Sequence, residues 1–145
     1  MSEQWKINNR EEQIIEITEM FRLFSKKWMA EWNKRKPEGI SPTHAAILTL
    51  LESKGPQKPS SLAAELHITT GGVTGLTDKL VDAGYASRTR DDADRRLVYL
   101  EITEAGRELL KDITRVKRER ETSIFSALND EELNSYLQLL QKLCD

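Results

Sequence analysis

The sequence predicts a mainly helical chain with a small two- or three-stranded β-wing: a winged helix-turn-helix core flanked by helices at both ends. Three observations carry this expectation. Residues 59–66 read as a short helix, His67-Ile68 as a tight turn, and Thr69 as the opening of a second helix. Two strand-like runs, residues 85–90 and 97–102, flank the charged tip Asp91-Asp92-Ala93-Asp94-Arg95-Arg96. Amphipathic helical patterns occupy both chain ends.

The first helix is expected over residues 9–34. Ile14, Ile17, Phe21, Phe24 and Trp28 recur at spacings of three and four, a seam for packing on another helix. Ile15, Met20, Leu23, Met29 and Trp32 widen that seam. So much apolar surface needs cover from the rest of the chain or from a second subunit. Pro37-Glu38-Gly39 ends the helix.

Ser41-Pro42 starts the second helix with a serine N-cap and proline at the first helical position. Ala45, Leu48 and Leu51 point inward, and Ser53-Lys54-Gly55-Pro56 ends the run. Pro59 takes the first position of the third helix, whose buried face is Leu62, Ala63 and Leu66. Thr69 caps the fourth helix, with Val73, Leu76, Thr77 and Leu80 inward and Gly84 as its left-handed stop.

On the second strand, Val98, Leu100 and Ile102 share one face, and Leu97, Tyr99 and Glu101 the other. Thr103 caps a fifth helix reaching about residue 128. Its apolar positions are Leu109, Leu110, Ile113, Val116, Ile124, Phe125 and Leu128. Its basic residues Lys111, Arg115, Lys117, Arg118 and Arg120 read as a solvated face paired with Glu119 and Glu121. Asn129, with Glu132 three residues on, opens a sixth helix in a capping-box pattern. That helix carries Leu133, Tyr136, Leu137, Leu140 and Leu143. The expected organisation is a DNA-binding region over residues 37–103 and a helical dimerisation region over 1–36 and 104–145.

Composition excludes several classes. No run of about 18 apolar residues exists, so no membrane span or membrane partner is expected. The stretch Met1-Ser2-Glu3-Gln4-Trp5-Lys6-Ile7 lacks the apolar core of a signal peptide, and a cytoplasmic location follows. The single cysteine, Cys144, excludes an internal disulfide and a multi-cysteine metal site; at the penultimate position it is expected to be inert, the alternative being a redox sensor. His44 and His67 have no nearby ligand pattern, so no metal is expected. No nucleophile–base pairing and no glycine-rich phosphate loop is present; an enzyme and a cofactor are not expected.

The chain's net charge is −2. Residues 54–103 carry seven positive and seven negative side chains, so the core has no bulk basic field. Affinity for nucleic acid must then come from placed groups: helix N-termini, hydroxyls and a few arginines. The first turns of the fourth helix offer Thr69, Thr70, Gly71, Thr74 and Gly75, with Lys79 further along. Ser60 and Ser61 add hydroxyls at the start of the third helix, and Arg88 and Arg90 add charge on the first strand. Threonine bonds phosphates or bases, or touches a thymine methyl. Gly71, Gly72 and Gly75 each cost about 1 kcal/mol against alanine in a helix. Close approach of the backbone to DNA is one reason for them; a loose first turn is the other. At the tip, Arg95 and Arg96 suit a narrow minor groove, with Asp94 placed to hold Arg96 in a bidentate pair. The plain alternative is a solvated tip that keeps a strand edge soluble.

The run from Leu66 to Leu80, then Gly84-Tyr85, Asp91-Asp92-Ala93-Asp94-Arg95-Arg96 and Leu100-Glu101-Ile102-Thr103-Glu104-Ala105-Gly106, resembles the MarR family of bacterial transcription regulators. The resemblance implies a homodimeric winged-helix repressor on palindromic double-stranded DNA, released by a small molecule or an oxidant. It implies that Val73, Thr74, Leu76, Asp78, Lys79 and Leu80 follow the recognition-helix pattern, and that Asp94 and Arg96 form the wing pair. Gly75 departs from it where a basic residue is common, and His67 where the turn usually has glycine. Phe21, Phe24, Trp28 and His44, with Trp32, are the candidate pocket for a small aromatic or lipophilic effector, although the spacing of the α1 aromatics equally fits an ordinary packed seam. The alternative to a DNA-binding regulator is a winged-helix module that binds protein.

Overall fold

The computed structural model describes residues 3–145, with side chains from residue 9 onward. The elements are α1 (Glu3–Arg35), α2 (Pro42–Lys54), α3 (Pro59–Leu66), α4 (Thr70–Asp82), β1 (Ala86–Arg90), β2 (Val98–Ile102), α5 (Glu104–Phe125) and α6 (Asp130–Cys144). They divide into two compact units: residues 36–116, and residues 1–35 with 117–145. Helix α5 gives its first half to one unit and its second half to the other.

In the unit spanning residues 36–116, the core is apolar side chains at the expected positions: Ala45, Leu48, Leu51, Leu62, Ala63, Val73, Leu80, Leu100 and Ile102 are all buried. Ile40, Ile47, Ala86, Leu109, Ile113 and Val116 complete it. Ser41 caps α2: its hydroxyl accepts from the His44 N–H at 3.2 Å, while the Ser41 N–H donates to His44 Nδ1 at 3.0 Å. His67 stops α3 in the left-handed region at φ 55°. Thr69 caps α4, accepting from the Gly72 N–H at 3.0 Å.

Strands β1 and β2 pair antiparallel, with Arg88 opposite Leu100 and Arg90 opposite Val98. Each begins one residue later than its pattern suggested. The third strand reduces to one bridge: Gln57, between α2 and α3, exchanges backbone hydrogen bonds with Leu100 at 2.9 and 2.8 Å.

The root of the wing is knotted at residues 84–106. The Thr103 hydroxyl donates to the Gly84 carbonyl at 2.6 Å and accepts from the Gly106 N–H at 3.1 Å. The Thr103 N–H donates to the Tyr85 carbonyl at 3.1 Å. Gly106 lies so close to that carbonyl that a Cβ would overlap it, and would stand 2.7 Å from Ile102 Cγ1.

The other unit holds the first and last helices. Helix α1 begins at Glu3 rather than residue 9, because nothing between them breaks a helix. Helix α5 stops at Phe125 rather than residue 128; the Leu128 N–H turns back to the Phe125 carbonyl at 3.0 Å. Asn129 and Glu132 form the expected capping box of α6. Trp32 and Ile124 are buried, whereas Ile14, Ile17, Phe21, Leu137 and Leu143 are exposed. Within a single chain the Ile14, Ile17 and Phe21 part of the α1 seam and the stripe of α6 are therefore uncovered, while Phe24 and Trp28 are half-buried. Arg120 corrects the reading of the α5 basic run: it is buried, with its guanidinium carbon 3.9 Å from the centre of the Trp28 ring. A planar, weakly hydrated guanidinium tolerates an aromatic face that an ammonium would avoid.

Gly106→Ala is expected to lower stability by about 1–3 kcal/mol, since the backbone it meets cannot yield. An unchanged urea midpoint in that variant would refute this account of the wing root.

Candidate nucleic-acid interface

Helix α4 turns Val73, Thr77 and Leu80 into the core, which fixes what its outer side presents. Thr70, Gly71, Thr74 and Gly75 are exposed. The Thr74 hydroxyl donates to the Thr70 carbonyl at 3.0 Å, one turn back, so its hydrogen is already engaged. A Cβ at Gly71 or Gly75 would meet nothing within 4 Å, so neither glycine is required by the chain's own packing. At Gly72 a Cβ would press on the Thr69 cap oxygen at 3.2 Å. That glycine serves the helix start.

Asp78, lower on α4, pairs with Arg88 on β1. This ion pair ties helix to wing and leaves Arg88 partly neutralised. Lys79 leaves the threonine side: its ammonium end lies beside Gly39, 3.6 Å from where a Cβ there would stand. Ser60 is exposed and Ser61 half-buried on the first turn of α3.

The tip of the wing is organised by carboxylates. Asp91 Oδ1 accepts from the N–H groups of Ala93 and Asp94 at 2.8 and 3.0 Å, forming the turn. Arg90 donates to the Arg95 carbonyl at 2.8 Å and braces the far side. Asp94 takes Arg96 in a two-pronged grip, with Nε on Oδ1 and Nη2 on Oδ2, both at 3.0 Å. The Arg96 side chain is nonetheless 90% exposed. The grip on its guanidinium, helped by the Arg96 backbone N–H, holds the Asp94 carboxyl below the usual range, and raises the Arg96 pKa in turn. Arg95 is exposed beside it.

The structure thus gathers Thr70, Gly71, Thr74 and Gly75 on α4, and gathers Arg90, Asp94, Arg95 and Arg96 on the wing. Lys79 stands apart on the other flank of α4. The pocket candidates divide. Phe24 and Trp28 lie with ring centres 5.9 Å apart, Trp28 and Phe125 6.2 Å apart, and Phe21 is exposed. His44 is buried at the start of α2. Two contributors lie outside the sequence expectation: Gln57, which bonds the wing through its backbone, and Asp91, which shapes the tip. A backbone bridge leaves no trace in side-chain pattern, whereas an Asp two residues before a turn N–H is a readable Asx signal.

No helix of the described residues is long and apolar enough to cross a membrane. Among those residues no group of three or more metal-ligating side chains gathers.

The family model described as MarR family matches residues 40–98. An uncharacterized HTH-type transcriptional regulator of Bacillus subtilis, YkoM, is 33% identical over 141 residues, covering 94% of this chain and 92% of that one. The transcriptional repressor MprA of Escherichia coli is 30% identical over 134 residues, covering 90% of this chain and 76% of that one. In fold, the chain is similar to a cysteine-to-serine mutant of Escherichia coli MarR solved with operator DNA. That likeness has a TM-score of 0.73 at 21% identity, and covers 92% of this chain and 96% of that one.

One site residue has a pH signature. Burial, with the charges of Lys79 and Lys36, depresses the His44 pKa below its ordinary value. The folded state then resists protonation that the unfolded chain accepts near pH 6.5. The stabilisation is complete above that pH and drains away as pH falls below it. The urea midpoint is expected to drop between pH 7.5 and 5, ahead of any carboxylate titration, and His44→Gln is expected to flatten that slope. A wild-type midpoint constant over that window would overturn the assignment.

Proposed function

This chain belongs to the MarR family of transcriptional regulators, and from that premise we propose that it is a homodimeric repressor of palindromic DNA, released by a small organic effector. The observation that carries the proposal is the tip of the wing. A guanidinium held in a fixed pose by Asp94, yet 90% exposed, is prepared for a partner outside the chain. A structural ion pair has no need of that exposure. The narrow minor groove, with its enhanced negative potential, is the partner such a group suits.

Helix α4 supplies the second contact. Its outer face is nearly bare, with two threonines and two glycines that the chain's packing does not require. Such a face approaches base edges closely, and reads them through methyl contact and backbone rather than through long side chains. Ser60, Ser61 and the N–H groups opening α3 and α4 suit phosphates.

Two copies are needed because one presents little charge. The uncovered apolar positions of α1 and α6, among them Ile14, Ile17, Leu137 and Leu143, suit a second subunit. Twofold symmetry then sets the half-sites roughly 34–36 Å apart. The repressor relative and the operator-bound MarR structure support this reading.

Selection of bound sequences from a random DNA pool tests the proposal directly: an inverted repeat is expected, with affinity falling steeply as salt rises. Retention of no DNA at low salt would sink it, and would favour a protein-binding module. On the selected site, Arg96→Ala is expected to weaken binding by about 1–3 kcal/mol, with fold and oligomeric state intact. An anisotropy titration showing unchanged affinity would remove the wing from the interface. Gly71→Ala and Gly75→Ala are expected to raise thermal stability, by up to about 1 kcal/mol each, while weakening DNA binding. Stabilised variants with undiminished affinity would rule out close backbone approach.

A further inference from the structure

Helix α4 carries its exposed residues in two rows. Residues four apart share a face, so Thr70, Thr74 and Asp78 form one row and Gly71, Gly75 and Lys79 the next. All are exposed. The long polar groups among them are already committed. The Asp78 carboxylate, a natural acceptor for cytosine, is paired with Arg88. Lys79, the basic residue of the helix, carries its ammonium to Gly39. The helix has no Arg, Asn or Gln, so the two-pronged contacts that identify guanine or adenine in the major groove are not made from it.

Thr74 remains, and its chemistry is narrowed by its own helix. The hydroxyl hydrogen goes to the Thr70 carbonyl at 3.0 Å. The oxygen then accepts but does not donate, and guanine shows only acceptors on its major-groove edge. The same bond restricts χ1 and gives the γ-methyl a set position on the exposed side. Beside it the surface is open: a Cβ at Gly71 or Gly75 would meet nothing within 4 Å. A methyl ridge bordering a bare channel has the shape to receive another methyl group. Of the four bases only thymine offers one in the major groove, at C5. Its adenine partner adds an N6 donor, which suits an oxygen restricted to accepting.

We propose that α4 identifies its DNA by the C5-methyl of thymine, lodged in the channel over Gly71 and Gly75 against the γ-methyl of Thr74. The operator class is one whose half-sites place thymine, not guanine, opposite this helix. This recognition presupposes the DNA-binding function proposed above, and adds the group that is read and the residue that reads it. On that reading the wing lies in the minor groove, where thymine shows no methyl. The two contacts are therefore separable by chemistry.

The test takes the full chain and the site selected from a random DNA pool, and replaces its thymines one at a time with deoxyuridine. The exchange removes the methyl and leaves the base pairing and the minor-groove edge unchanged. At the position under α4, affinity is expected to fall about fourfold for each methyl removed. At that position 5-methylcytosine is expected to bind several-fold tighter than cytosine, because it restores the methyl. Thr74→Ser keeps the bond to the Thr70 carbonyl and loses the methyl, and is expected to bind the thymine and uracil sites alike. Thr74→Val keeps the methyl and loses the oxygen, and is expected to retain the preference for thymine. Position 74 is exposed, so both variants are expected to melt as wild type does. Uracil tolerated at every position, or a Thr74→Ser protein that discriminates as fully as wild type, would overturn the thymine contact and leave the DNA-binding function standing. Failure to retain any DNA would end both.

Discussion

The contact on which the winged unit depends is made where nothing larger than hydrogen fits. Gly106, in the first turn of α5, lies against the carbonyl of Tyr85, and the Thr103 hydroxyl bonds both the Gly84 carbonyl and the Gly106 N–H. Three segments converge there: the end of α4, the entry to β1 and the exit from β2. Their mutual aim is therefore fixed by backbone rather than by adjustable side chains. From this joint the chain controls where the arginines stand relative to α4. The Asp78–Arg88 pair and the Gln57 bridge then hold the wing along its length.

That rigidity answers the charge problem. A core with equal numbers of acidic and basic groups cannot attract a polyanion through its general field. For the proposed contact with DNA its few cations have to be held in place beforehand, so that little ordering remains. Asp94 does this for Arg96, and Asp91 does it for the backbone beneath. The acidic residues that lower the net charge are thus part of how the basic ones are aimed. A count of charges misses this, because the count treats Asp91 and Asp94 as opponents of the arginines.

Much of this was legible in the residues. The caps at Ser41, Thr69, Thr103 and Asn129 stand where the pattern put them, because each cap is a local affair of one side chain and a nearby N–H. The Asp94–Arg96 grip was equally local. What the pattern concealed was set by distance in sequence. Arg120 belongs to a run of cations that looks solvated, and only the fold brings it onto Trp28. Lys79 shares a helix with Thr74 yet reaches toward Gly39, because its own angular position decides its flank. The bridge through Gln57 uses backbone atoms that every residue possesses.

The wing's two ends also differ in what they would tolerate over evolutionary time. Its root admits no added atom at Gly106, so drift there meets a wall. Its outer turn is held by one carboxylate and one arginine reaching across the hairpin, in exposed surroundings where extra residues find room. Lengthening of the loop is thereby permitted without altering its bearing. A longer loop on this joint would extend the reach of the wing while keeping its direction, a division of labour written into one glycine.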